Sequence, residues 1–217
     1  MELAMTQLFP VFINLTDKPC LVLGGGQVAA RKVQNLLDCG AVVIVISPEA
    51  VDDIKQYSEQ GLVKWLPREL EVNDLQGIFM VFVATSSPEA NQQAVDWCRE
   101  RNILVNAVDD PPNCDFYVPS VLRRNSLVLA VSTEGKSPLY ARKLRKELES
   151  IITPEHGEYV DLLGEQRELI KETVSDINVR KRIFEALVNS DILDLLRRGE
   201  RVKVRERVQE CISSWQD

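Results

Sequence analysis

The sequence predicts an α/β chain in which a doubly wound parallel-sheet domain is followed by a small α/β segment and a helical C-terminal region. Three observations carry this. Residues 18–112 alternate short apolar, β-rich runs with amphipathic stretches, the pattern of parallel strands joined by crossover helices. A glycine cluster, Gly24-Gly25-Gly26, directly follows the first apolar run. The texture changes after Pro111-Pro112, and from Pro154 onward only helical periodicity remains.

Strands are expected at residues 20–23, 42–46, 63–66, 78–84 and 104–108, where apolar and β-branched residues concentrate. The stretch 27–37 reads as a helix stopped by Gly40, since glycine accepts the left-handed conformation of a helix terminus. Ser47-Pro48 and Ser87-Pro88 each place a capping hydroxyl before a proline suited to the first helical position, so helices should begin there. Residues 116–122 and 126–132 read as two strands around a turn at Arg123-Arg124-Asn125, and Ser137-Pro138 opens a helix to about residue 150. Apolar pairs such as Leu162-Leu163, Leu169-Ile170, Ile183-Phe184 and Leu187-Val188 mark the helical tail. The expected domains are therefore 1–112, 113–150 and 151–217.

Composition narrows the function classes. With 217 residues, 45% hydrophobic and 27% charged, the chain can build a core and is not disordered, collagenous or coiled coil as a whole. Its longest apolar runs fall far below the roughly 18 residues of a membrane span. The first seven residues lack a basic segment leading into an apolar one, so a cytoplasmic protein without a secretory signal is expected. Five scattered cysteines without a CxxC pair suggest neither a disulfide framework nor a zinc site, and His156 is the single histidine. Net charge is −7, yet residues 113–150 carry seven Lys and Arg against four Asp and Glu. An acidic whole argues against nucleic-acid binding, while the basic segment suits either a small polyanion or a solvated helix face.

Gly24-Gly25-Gly26-Gln27-Val28-Ala29 fits GxGxxA at a strand-to-helix turn, which makes the first domain Rossmann-type. Gly24 permits the tight turn, Gly26 lets backbone approach a pyrophosphate, and Ala29 lets the helix lie close to the strand. Helix N-terminal N–H groups at Gln27 and Val28 then face phosphate charge. The second strand ends at Ser47, with neither an acid for a ribose 2′-hydroxyl nor an arginine for a 2′-phosphate, so NAD and NADP stay open. Thr85 and Asn91, at the end of the fourth strand, border the cofactor or serve as turn and cap residues.

The ordered set of motifs is Leu8-Phe9-Pro10-Val11-Phe12, Gly24-Gly25-Gly26 with Ala29-Ala30-Arg31-Lys32, Ala84-Thr85 with Asn91-Gln92, Asn106-Ala107-Val108-Asp109, Phe116-Tyr117-Val118-Pro119-Ser120, and Ser132-Thr133-Glu134-Gly135-Lys136-Ser137-Pro138. It closely resembles the precorrin-2 dehydrogenase/sirohydrochlorin ferrochelatase family, including the N-terminal module of siroheme synthase. The resemblance implies NAD-dependent oxidation of precorrin-2 to sirohydrochlorin and, in many members, insertion of Fe2+ to give siroheme. It also implies a homodimer, with a dimerisation region around residues 113–150 and a helical tail helping to cover the active site. The methyltransferase domain of the larger synthase is not expected within this length.

A tetrapyrrole with eight carboxylate side chains needs cationic partners. Arg123, Arg124, Lys136, Arg142, Lys143, Arg145 and Lys146 supply them, of which two or three should touch substrate. Arg142, Arg145 and Lys146 share a helix face and Lys143 lies off it. Ser137 offers helix N–H groups to one carboxylate or is an ordinary cap, and Thr133 falls where the synthase module has a serine. Asp109 is the catalytic candidate, because it follows a sheet strand at its carboxyl end and matches the family aspartate implicated in both reactions. Asp110 is its close competitor. No catalytic role is expected for His156 and no metal-ligand cluster is seen; Cys114 is a soft ligand or a packed thiol. The rival reading is an NAD(H)-sensing module with a helical assembly tail, which would need no polycarboxylate pocket.

Overall fold

A computed structural model describes residues 7–214. The chain divides into two units, one ending at Val118 and one beginning at Pro119. In the first, strands β1 (Pro19–Leu23), β2 (Val42–Ile46), β3 (Val63–Leu66), β4 (Met80–Val83) and β5 (Leu104–Ala107) alternate with helices α1 (Gln27–Asp38), α2 (Asp52–Glu59) and α3 (Pro88–Glu100). All pairings are parallel, in the order β3-β2-β1-β4-β5. Such a sheet is covered on both faces, which is why its strands read as continuous apolar runs. Cys20, Val22, Val45 and Phe82 face α1 and α2, while Leu21, Val81, Val83 and Val105 face α3. Strand order reverses between β1 and β4, and the loops leaving their carboxyl ends diverge to open a crevice.

Gly40, at φ +73°, follows α1 as expected. Ser87 caps α3 by accepting from Ala90 N at 3.2 Å. The start expected at Ser47-Pro48 is corrected, for α2 begins at Asp52. Tertiary contacts hold the intervening residues extended: Val51 N donates to Gly25 O at 2.8 Å, and the Trp65 indole donates to Ser47 O at 3.1 Å. The helix then starts where Asp52 and Asp53 favour its dipole.

The first unit also extends past the boundary expected at Pro112. After β5 a short 3-10 turn, Pro111–Asn113, sends the chain back along the sheet edge. Asp115 N donates to Val105 O at 2.8 Å, and Val105 N donates to the Asp115 carboxylate at 2.9 Å. Phe116 meets Phe82 edge-on at 5.3 Å, so residues 113–118 belong to the sheet domain.

The second unit opens with an antiparallel hairpin of β6 (Ser120–Arg124) and β7 (Leu127–Val131). Its turn is Asn125-Ser126 rather than Arg123-Arg124-Asn125, because Asn125 takes the left-handed conformation at φ 49° while both arginines pair in the strand. Helices α4 (Pro138–Ile151), α5 (Pro154–Thr173), α6 (Ile177–Val188), α7 (Ile192–Arg197) and α8 (Arg201–Ser213) follow. Ile170, Ile183, Leu187, Ile192, Val204 and Val208 form their core.

Helix α5 crosses the hairpin at Gly157, where an added Cβ would lie 2.5 Å from the Arg124 carbonyl oxygen. Replacing a helical glycine by alanine ordinarily gains about 0.5–1 kcal/mol, but overpacking against backbone costs about 1–3 kcal/mol. Gly157→Ala is therefore expected to destabilise the chain by about 1 kcal/mol or more, read as a lower urea midpoint; an unchanged or raised midpoint would show that the hairpin yields at no cost.

Candidate functional site

The crevice at the carboxyl ends of β1, β2 and β4 is a cleft of about 1140 Å³, on the scale of a small-molecule or cofactor site. Its floor is the glycine turn, and each glycine has a different reason to be there. Gly24 sits at φ +121°, and an added Cβ would strike the Ala84 carbonyl at the end of β4. At Gly25 a Cβ would strike Glu49 O and come within 2.6 Å of Ser47 Oγ. Gly26 has nothing within 4 Å of its added Cβ, so this position is open. Gly26 also precedes α1 without a side-chain cap, leaving first-turn N–H groups at Gln27 and Val28 for an incoming anion. Ala29, fully buried, lets α1 lie against β1.

Ser47 forms the facing wall with Pro48 and Glu49. It is 5% exposed, and its hydroxyl has no hydrogen-bond partner. A buried hydroxyl without a partner costs roughly 1–3 kcal/mol, and Ser47 carries that cost at the edge of the cleft. Together with the open Gly26, this fits a pyridine dinucleotide, whose phosphates need the bare backbone and whose ribose supplies hydroxyls. Thr85 lines the cleft as expected. Asn91 does not: its amide donates to Thr85 O at 3.2 Å and its Oδ1 accepts from the Thr85 hydroxyl at 2.6 Å, so it braces Thr85 from behind. Arg68, which sequence reasoning missed, enters the same cleft from beyond β3. The only signal for it was a cation two residues past the end of a neighbouring strand.

Asp109 lies outside the cleft wall, beyond the end of β5. It is exposed and held at φ 60°, a left-handed conformation that aspartate tolerates better than most residues. Val108 N donates to Val83 O at 2.9 Å, extending the sheet to the residue before it. Below it, buried Asn106 donates to Phe116 O at 2.8 Å and to the Cys114 thiol at 3.4 Å, and that thiol donates to Ala107 O at 3.1 Å. Cys114 is thus packed under the loop, and burial pushes its thiol up. Asp110, the competitor, accepts from the Asn113 amide at 2.7 Å. From α1, Lys32 lays its ammonium 5.3 Å from the Phe82 ring centroid. Burial and then Arg31 lower its pKa, while the charges of Cys114 and Asp109 oppose that shift.

The basic residues lie in the second unit. Arg123 and Arg142 are exposed on β6 and α4. Arg124 is tied down, with Nε donating to Ile152 O at 3.0 Å and Nη1 to Arg123 O at 3.3 Å. Arg145 pairs with Glu149, and Lys143 lies 3.7 Å from Glu147. Lys136 stands in an exposed turn closed by its N–H to Thr133 O at 2.9 Å. Thr133 Oγ1 accepts from Ser137 N at 3.1 Å, and Ser137 Oγ caps α4 by accepting from Tyr140 N at 3.3 Å. His156 caps α5 through Nδ1, which accepts from Thr153 N at 3.1 Å.

Comparison with known proteins follows the same order along the chain. Residues 11–120 match the family described as "Putative NAD(P)-binding", residues 124–151 the sirohaem biosynthesis protein central region, and residues 156–212 the sirohaem synthase dimerisation region. Siroheme synthase 1 of Serratia proteamaculans is 33% identical over 206 residues, covering 95% of this chain and 43% of that protein. Siroheme synthase of Thioalkalivibrio sulfidiphilus is 35% identical over 209 residues, covering 96% and 43%. The chain thus spans about two fifths of the length of these relatives. A solved structure, SirC, precorrin-2 dehydrogenase, superposes with a TM-score of 0.80 at 25% identity, covering 94% of this chain and 98% of that one. The cleft at the sheet's switch point, followed by these two sirohaem regions in order, means that this chain belongs to the family described as "Putative NAD(P)-binding" and carries the sirohaem biosynthesis central and sirohaem synthase dimerisation regions.

Proposed function

We propose that this chain oxidises precorrin-2 to sirohydrochlorin with NAD, as a homodimer in the cytoplasm. The observation that carries the reading is the cleft: an open Gly26 beside an unpartnered, buried Ser47 hydroxyl. It stands in a chain that matches a precorrin-2 dehydrogenase over nearly all of both lengths. The homodimer rests on the dimerisation-region match at residues 156–212, which falls in the helical tail and not in the 113–150 segment expected for it. Among the described residues no helix is long and apolar enough to cross a membrane.

When bound, NAD supplies the hydride acceptor. Gly26 would hold its phosphates with the N–H groups of Gln27 and Val28, on the turn that Gly24 and Gly25 make possible, while Ser47 and Thr85 would border it. The substrate loses a hydride and a proton, giving sirohydrochlorin, NADH and H⁺, and the Asp109 carboxylate takes the proton as general base. The left-handed turn at Asp109 presents that carboxylate at the sheet rim, with Lys32 as a cationic neighbour. Arg123, Lys136 and Arg142 provide charge for substrate carboxylates, and Thr133 and Ser137 complete that set. Arg124 and Asn91 act by support, through Ile152 and Thr85. Insertion of Fe2+ as a second substrate, releasing two pyrrole N–H protons, would use the same carboxylate; the siroheme synthase names of the relatives favour it. Metal insertion measured anaerobically with sirohydrochlorin and Fe2+, against the uncatalysed rate, tests it.

Incubation with precorrin-2 and NAD should yield NADH in step with the sirohydrochlorin spectrum, whereas no oxidation with either NAD or NADP would remove the enzyme reading. Asp109→Asn should lower turnover by about 100-fold or more with NAD affinity nearly intact, and full activity would eliminate Asp109 as the base. Gly26→Val should weaken NAD binding by about tenfold or more without lowering the melting temperature, since its side chain enters the cleft rather than the core. Undiminished binding in that variant would show that phosphate does not approach Gly26.

A further inference from the structure

The cleft contains one cation and several acids. Among the described residues lining it, Arg68 is the sole Lys or Arg, whereas Glu49, Glu69 and Glu89 are all exposed carboxylates on its walls. Arg68 is placed at the end that would hold the adenosine ribose. The ribose of a dinucleotide sits beyond the second strand of such a sheet. Here Ile46 pairs with Leu66, and Ser47 N donates to Leu66 O at 3.3 Å, so the residues after β2 and after β3 leave the sheet side by side.

This arginine is already engaged. Its Nη1 donates to Asp74 Oδ2 at 2.7 Å and to Glu69 O at 2.9 Å, and its Nη2 donates to Asp74 Oδ1 at 2.6 Å. Glu71 adds a second carboxylate at 3.8 Å. The partner is fixed as well, because Asp74 Oδ2 also accepts from Glu71 N at 2.8 Å and closes a capping box on the 3-10 turn Val72–Leu75. A bidentate pair of this geometry consumes both the charge and the fork of the guanidinium. Hydrogen bonding between the two holds the Asp74 carboxyl below the usual carboxylate range.

Beside Arg68, at the end of β2, the unpartnered group is the Ser47 hydroxyl. A neutral hydroxyl exchanges hydrogen bonds with a sugar hydroxyl but does not balance a phosphate dianion. With Arg68 neutralised, a 2′-phosphate would face Glu49 and Glu69 uncompensated.

We infer that the Arg68–Asp74 pair is a cofactor-selectivity lock, in which Asp74 withholds the cleft's cation from the ribose 2′ position so that the site takes NAD and rejects NADP. The inference rests on the dinucleotide reading given under Proposed function and assigns its specificity to two residues outside the glycine motif. Asp74 is a positioning residue, acting through Arg68.

The test is calorimetric titration of the 217-residue chain with NAD and with NADP, in the absence of tetrapyrrole. The unmodified protein should bind NAD at least about tenfold tighter. Asp74→Asn keeps an oxygen for the cap but loses the charge, and it should narrow that ratio by about tenfold, chiefly by tightening NADP. Arg68→Met added to it should restore the original ratio. Equal binding of both nucleotides by the unmodified protein, or an unchanged ratio in folded Asp74→Asn, overturns the lock. Should Asp74→Asn fail to fold, Arg68→Met alone decides. Discrimination kept supports the lock, whereas a further loss of NADP binding means that Arg68 already reads the phosphate. If neither nucleotide binds the unmodified protein, the cofactor assignment itself falls and the lock falls with it.

Discussion

Three backbone segments meet at the turn after β1, and the site depends on how closely they approach. The end of β4 touches Gly24, and the loop after β2 lies on Gly25, with Val51 N bonded to Gly25 O and Gly24 N to Ile46 O. Any side chain at either glycine would pry these segments apart. Their closeness gives the crevice its shape, delays α2 until Asp52, and leaves Gly26 as the bare stretch of backbone facing the opening. The same packing buries Ser47 with its hydroxyl unsatisfied.

The rim beyond β5 is built by a different device. The chain doubles back after Pro111–Asn113, and Asn106, Cys114 and Asp115 tie the returning segment to the strand. Asn106 is one of two buried polar residues in the structure described here, and both of the partners of its amide come from this return. A satisfied buried amide holds a loop more firmly than apolar contact alone. Asp109 therefore projects from a braced loop in a left-handed turn, near the half-buried Lys32.

The cations of the second unit separate by their partners. Arg124 and Arg145 are spent on Ile152 O and Glu149, and exposed ion pairs such as Lys143–Glu147 add little stability. Arg123 and Arg142 remain exposed, the state suited to meeting a polycarboxylate from solvent.

Much of the fold was legible because buried parallel strands announce themselves as unbroken apolar runs: β2 and β3 fall where expected, and β1, β4 and β5 differ only at their ends. The helix start signalled by Ser87-Pro88 is present, yet that of Ser47-Pro48, the same local signal, is not, because the hydrogen bonds Val51 N to Gly25 O and Trp65 Nε1 to Ser47 O outweigh a cap worth about 1 kcal/mol. By itself the sequence determined the parallel α/β architecture, the glycine turn and the helical tail, since periodicity and glycine chemistry act between near neighbours. Only the tertiary structure decided that Arg68 and Ser47 line one cleft, that Asp74 restrains the first, and that Asn91 stands behind Thr85. Those relations arise where the ends of separate strands converge, and no local pattern along the chain encodes which residues meet there.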